Sequence, residues 1–163
     1  MVDPKERDRR RALLAAHYAA ENACDIEGIM ATFAPGAEMI YNGQHFTVAD
    51  HIQWAHGYIG MSTQPGGLTN IRSVRDHEHY TDDEIVVEGR MFGTHTGEFQ
   101  GFAPTGQDVV LPFITFYRFD ANGLLASERI VMNLGVLGIA GAALESERHS
   151  QAAASSSALQ AHP

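Results

Sequence analysis

Proton transfer near neutral pH needs side chains that exchange protons there, held where water does not compete. His17 lies in a helical stretch. It could be a general base or hydrogen-bond donor if its face turns inward, or a polar residue in water if it turns outward. Tyr41 ends a short apolar run. Its hydroxyl could donate to a carbonyl oxygen, or it could be a buried aromatic whose hydroxyl meets the backbone. Glu128, Ile130 and Met132 alternate along a strand and so share a face. A carboxylate buried on that face would hold its proton more tightly and could serve as a base; at the rim it would be ordinary. His77 and His79 also share a strand face, which permits chelation. No third ligand accompanies them, so a cross-strand surface pair is expected and no metal. His95, between Gly93 and Gly97, sits where glycines signal a bulge or bend, and a structural role is expected.

These residues belong to a chain of 163 residues, which favours one domain and can bury a sizeable core without staples. Its single cysteine, Cys24, excludes an internal disulfide and a cysteine-rich zinc site, and fits a reducing cytoplasm. Eleven basic against twenty acidic residues give a formal charge of -9, which speaks against nucleic acid as a partner. The charged segment Met1 to Arg11 has no apolar core and does not read as a secretory signal. The apolar stretch Met132 to Leu144 is too short to span a bilayer. A cytoplasmic protein with no membrane partner is expected.

The elements that must position these side chains can be traced along the chain. Asp3, Pro4 and Glu6 mark a helix start, and the helix is expected to run to about Glu21 with Leu14 and Tyr18 on one face. Asp25 starts a second helix with apolar Ile26, Ile29, Met30 and Phe33, ended by Pro35-Gly36. Ala37 to Tyr41 reads as a strand and Asn42-Gly43 as a turn. Thr47 to Asp50 is another helix start, leading to about Ile59 with Trp54 and Tyr58 one turn apart. Gly60 to Gly67 reads as a loop. Thr69 to Tyr80 and Glu84 to His95 form one expected hairpin. Val109 to Phe119 and Leu124 to Leu134 form another, its turn relying on left-handed Asn122 and Gly123. Residues 1–148 make the domain; 149–163, rich in Ala and Ser, make an expected flexible tail. Helices followed by hairpins give an α+β class: a curved, mostly antiparallel sheet wrapped around the N-terminal helices, forming a cone with an apolar pocket.

The stretch Ala23 to Ala34 resembles the second-helix motif of the nuclear transport factor 2 superfamily. Gly93-Thr94-His95-Thr96-Gly97 is followed by Phe99, Gly101 and Pro104-Thr105-Gly106, then by Arg118, Gly123 and Glu128-Arg129-Ile130. That series resembles the SnoaL-like polyketide cyclases of the superfamily, over roughly residues 10 to 140. The resemblance implies the cone fold. It also places His17, with Tyr18 beside it, at the position of an oxyanion tyrosine. Tyr41, Thr115 and Ile130 fall at three acid–base positions. None of those three is a carboxylate, and Glu128 is the nearest carboxylate to the vacated place.

The catalytic candidates are therefore Tyr41, His17, Tyr18, Thr115 and Glu128. Phe33, Met39, Trp54, Tyr58, Phe113, Tyr117, Ile130 and Met132 are expected to line the pocket. The resemblance implies cofactor-independent chemistry of cyclase, isomerase or dehydratase type on a small hydrophobic polyketide- or terpenoid-like molecule. The sheet's outer face is expected to pair in a homodimer. The alternative is a non-catalytic ligand-binding or protein-interaction domain, for which a filled cone would be the sign.

Overall fold

The computed structural model describes residues 3–55, 66–142 and 145. Helix α1, Pro4–Ala23, starts as expected: Asp3 caps it by accepting from Lys5 N, and Cys24 ends it in a left-handed conformation. Its buried stripe runs Leu14, His17, Tyr18, the spacing of one helix face. Helix α2, Ile26–Ala31, is capped by Asp25. Here the chain departs from expectation. Phe33 opens strand β1, Phe33–Tyr41, and Pro35-Gly36 lie inside that strand rather than ending the helix. The register shifts between Phe33 and Glu38, with Gly36 left-handed at φ 75, so proline and glycine are absorbed in a bulge.

Asn42 and Gly43, at φ 45 and 82, form a two-residue hairpin turn to strand β2, Gln44–Thr47, which the sequence reading did not foresee. Thr47 then caps helix α3, Val48–Trp54, by accepting from Asp50 N. The expected continuation to Ile59, the expected loop at 60–67 up to residue 65, and the tail at 149–163 lie outside the described residues. Strands β3, Leu68–Tyr80, β4, Glu84–His95, β5, Asp108–Phe119, and β6, Leu125–Met132, complete the sheet. Of the two residues expected to be left-handed in the β5–β6 turn, Gly123 is so, at φ 77, and Asn122 is not. Asp120 takes over: its carboxylate accepts from the backbone N–H of Asn122 and of Leu124. Residues 135–142 are helical.

The strand order is β2-β1-β6-β5-β4-β3, with β1 and β6 parallel and all other pairs antiparallel. The sheet curls without closing, and α1, α2 and α3 fill its concave side. Alternation on β5 buries Val109, Leu111, Phe113, Thr115, Tyr117 and Phe119 and turns the residues between them outward.

Candidate active site

His17 is fully buried, although imidazole is more often found near the surface. Its Nδ1 lies 2.8 Å from Thr32 Oγ1. Thr32 has a single hydroxyl proton, and that proton is given to Ile29 O at 2.6 Å. Thr32 Oγ1 must therefore accept from His17, which puts a hydrogen on Nδ1. In the neutral ring Nε2 then carries the lone pair. Nε2 has no hydrogen-bond partner of its own. It faces Glu21 Oε1 at 3.5 Å and Glu128 Oε2 at 3.7 Å.

Glu128 is 2% exposed and sits in β6 between Tyr117 of β5 and Met39 of β1. Burial pushes its carboxyl up to about 7, against a smaller opposing effect from the charge of His17. Burial alone would lower His17, but the charges of Glu21 and then Glu128 outweigh it and leave the imidazole raised. The two groups face one another and titrate as a pair, sharing a proton near neutrality. Beyond Glu128, Tyr117 donates to the hydroxyl of Tyr18 at 3.0 Å, and both phenols are raised, mainly by burial.

Two small cavities meet at the carboxylates, and both are lined by Glu21 and Glu128. One, of about 20 Å³, lies among His17, Phe33, Met39, His51 and Ile52. The other, of about 30 Å³, lies among Tyr18, Phe113, Thr115, Tyr117 and Met132. Each has room for about one water molecule. A larger hollow, of about 770 Å³, lies on the outer sheet face by Glu88, Arg90, Pro112 and Ile114. It is open to solvent and holds no buried titratable group; the buried ones line the small interior cavities. The ligand atoms of His17, Glu21 and Glu128 lie within 4.8 Å of one another, which makes these three, among the described residues, a group that could hold a metal ion.

The model of the SnoaL-like domain family matches residues 14–128, more than half of the chain. The chain belongs to that family. No curated protein matches it in sequence. Solved structures resemble this SnoaL-like chain at low identity and so testify to the fold. AclR from Streptomyces galilaeus, a candidate hydroxylase, aligns with a TM-score of 0.66 at 24% identity, over 80% of this chain and 82% of its own. A candidate SnoaL-like polyketide cyclase from Jannaschia sp. CCS1 gives 0.68 at 19%, over 82% and 91%. IdmH, a candidate polyketide cyclase from Streptomyces antibioticus, gives 0.65 at 17%, over 80% and 96%.

The SnoaL-like fold brings His17, Tyr18, Thr115 and Glu128 to the two cavities, together with Phe33, Met39, Phe113, Tyr117, Ile130 and Met132. Glu128, Ile130 and Met132 do share one face. Tyr41 does not join them. It is buried, and its hydroxyl donates to Met132 Sδ at 3.5 Å while its ring packs 5.0 Å from Trp54. Its hydroxyl is used within the core, and neither cavity is lined by Tyr41 or Trp54. Tyr58 lies outside the described residues. His79 pairs with Glu88 across the β3–β4 hairpin at 2.7 Å, the surface pair foreseen. His95 is fully buried, and its backbone bonds to Gln107 and Gly106.

Three residues at the site were missed. Glu21 lies one turn beyond His17 and Tyr18 on the buried face of α1. Thr32 caps the end of α2. His51 shares the buried face of α3 with Val48 and Ile52. The signal was available in each helix as a polar residue standing in the apolar stripe.

Proposed function

We propose that this SnoaL-like protein is an enzyme that moves a proton on a small hydrophobic molecule, in a cyclisation, isomerisation or dehydration. The observation that carries the reading is a fully buried carboxylate facing an imidazole nitrogen kept free by its own tautomer. His17 Nε2 and Glu128 form the acid–base pair, one taking the proton that the other returns. Tyr18 and Tyr117 supply hydroxyls at the far side of Glu128, where charge developing on a substrate oxygen can be met. The aromatic and aliphatic walls favour a polyketide- or terpenoid-like skeleton. The small cavities imply that substrate entry displaces side chains. A protein-interaction module would gain nothing from imidazole nitrogens buried here without a hydrogen bond, since each costs about 1–3 kcal/mol. The candidate polyketide cyclases from Jannaschia sp. CCS1 and Streptomyces antibioticus share this fold, which is in keeping with this proposal.

The test is proton exchange in deuterated water over a panel of polycyclic ketones. This reads the chemical step before the net reaction is known. Wild type is expected to exchange α-protons of at least one panel member. Glu128→Gln is expected to lose about 10²–10⁴-fold, the range of general acid–base catalysis. No exchange above buffer, or equal exchange by Glu128→Gln, sinks the reading. A second reading has its own observation: the 4.8 Å clustering of His17, Glu21 and Glu128 would suit a divalent cation acting as Lewis acid. Exchange abolished by chelator and restored by zinc or manganese would favour it. Exchange unaffected by chelator is the outcome expected from the acid–base pair.

A further inference from the structure

Three buried imidazole nitrogens among the described residues have no hydrogen-bond partner: His17 Nε2, His51 Nδ1 and His95 Nε2. Buried polar atoms almost always find one, so each exception needs an explanation. Two of the three, on His17 and His51, line the same cavity of about 20 Å³. They come from different helices, α1 and α3, so no local turn geometry accounts for both. His51 is 8% exposed and ringed by Tyr41 at 5.9 Å, Phe46 at 5.6 Å and Trp54 at 5.4 Å. Burial holds it down to about 4, so it is neutral where the protein works. A neutral imidazole offers one donor and one acceptor nitrogen.

We propose that the space between His17 and His51 is a binding site for a single hydroxyl group on an apolar molecule, with His51 as the residue that orients it. The proposal rests on the reading that substrate meets the acid–base pair in this cavity. A cavity with room for about one water holds one oxygen atom. Besides the two imidazoles the lining holds the carboxylates of Glu21 and Glu128 and is otherwise apolar, with Ile29, Phe33, Met39, Ile52 and Ala55, so a ligand's polar tip is matched by polar atoms and its skeleton is not. The type of tip follows from the proton count. His17 Nδ1 already donates to Thr32, so neutral His17 presents an acceptor at Nε2. An occupant must then donate to Nε2. A hydroxyl donates there while its oxygen accepts from His51 Nδ1. An ether or ketone oxygen only accepts, and leaves His17 Nε2 unpaired in the neutral form. Water satisfies the same pattern, and is the occupant when substrate is absent.

Two measurements test the site. The first is a crystal structure of the ligand-free protein at about 1.2 Å resolution or better. It should show a water about 2.7–3.2 Å from both His17 Nε2 and His51 Nδ1. A dry cavity overturns the proposal. So does a peak about 2.0–2.2 Å from the donor atoms, which would make the cluster a cation site.

The second uses three probes of one skeleton: 2-decalol, its methyl ether and decalin. Trp54, the only tryptophan, lies 5.4 Å from His51 and reports binding by fluorescence. Wild type should bind the alcohol about tenfold more tightly than the ether, the value of one to two hydrogen bonds. His51→Phe should lose that preference while still binding decalin, and His51→Gln should restore part of it. Circular dichroism and melting temperature confirm that each variant is folded. Equal binding of alcohol and ether by wild type, or an unchanged preference in His51→Phe, sinks the hydroxyl site and leaves the acid–base enzyme standing. If wild type binds none of the three, the cavity is no substrate site and both readings fall.

Discussion

Thr32 decides which nitrogen of His17 is free to take a proton. Its hydroxyl hydrogen is committed to Ile29 O, so it can only accept from Nδ1. Thr32→Val removes that acceptor and leaves a buried N–H unpaired, at a cost of about 1–3 kcal/mol. The expected result is a lower melting temperature together with loss of proton exchange, because the ring can then carry its hydrogen on Nε2. Thr32→Ser should recover both, and thermal melts with the exchange assay would check it. Three buried groups also set a pH dependence. Glu128 is raised from 4.5 to about 7, so the native protein keeps a proton that the unfolded chain releases. Its contribution to stability is full below 4.5 and is lost as pH rises through about 7. His17, raised above 6.5, loses its contribution in the same direction at higher pH. His51 is lowered from 6.5 to about 4, so its contribution is full above 6.5 and is lost as pH falls through about 4. Glu128 and His51 therefore offset each other between 4.5 and 6.5, and above 6.5 only the decline remains. A pH series of thermal melts should show that decline at the alkaline end. Glu128→Gln should flatten it, and His51→Phe should make it begin at lower pH.

The strands hold the site at fixed spacing, and one close approach between them is decisive. Gly89 in β4 faces inward, where an added Cβ would lie 2.3 Å from the Phe113 ring and 2.6 Å from Val74 O. The first contact could be relieved by moving a side chain, but the second is with backbone and cannot be. Gly89→Ala should therefore cost about 1–3 kcal/mol, which calorimetry would read as a fall of several degrees. Phe113 lines the cavity beside Tyr117, so the same substitution should weaken proton exchange as well. At this scale the sequence was readable where a local signal has one meaning. Asp3, Asp25 and Thr47 each cap the helix they were expected to start. It misled where a signal has two meanings. Pro35-Gly36 can end a helix or make a bulge, and pairing of β1 with β6 decided for the bulge. Asn42-Gly43 was read as a turn, yet β2 is only four residues long, and its burial is too irregular to show as alternation.

For the molecule as a whole, the outward face of the sheet carries a group of exposed apolar side chains. Val110, Ile114 and Val131 are 39%, 41% and 52% exposed there, alternating with the buried residues of β5 and β6. We propose that this face pairs two copies. Light scattering should give the mass of a dimer at micromolar concentration, and Ile114→Lys with Val131→Lys should give a monomer, since buried unpaired charges oppose association. A monomer in wild type would refute the pairing. Among the described residues no helix is long and apolar enough to cross a membrane.

The family, the α+β class with its β3–β4 and β5–β6 hairpins, and the common face of Glu128, Ile130 and Met132 were legible in the sequence alone. Each depends on periodicity or on ordered motifs, which are local properties of a chain. Only the tertiary structure decided that Glu128 is fully buried, that it faces His17, and that Glu21, Thr32 and His51 converge on the same pair. It also set the hydroxyl of Tyr41 against Met132 Sδ, away from the lining of the two small cavities. The physical reason is that burial and proton affinity depend on what arrives from distant elements. His17 and Glu128 stand 3.7 Å apart yet belong to the first helix and the last strand. No spacing along the chain encodes that distance; it is set by how the helices fill the concave side of the sheet.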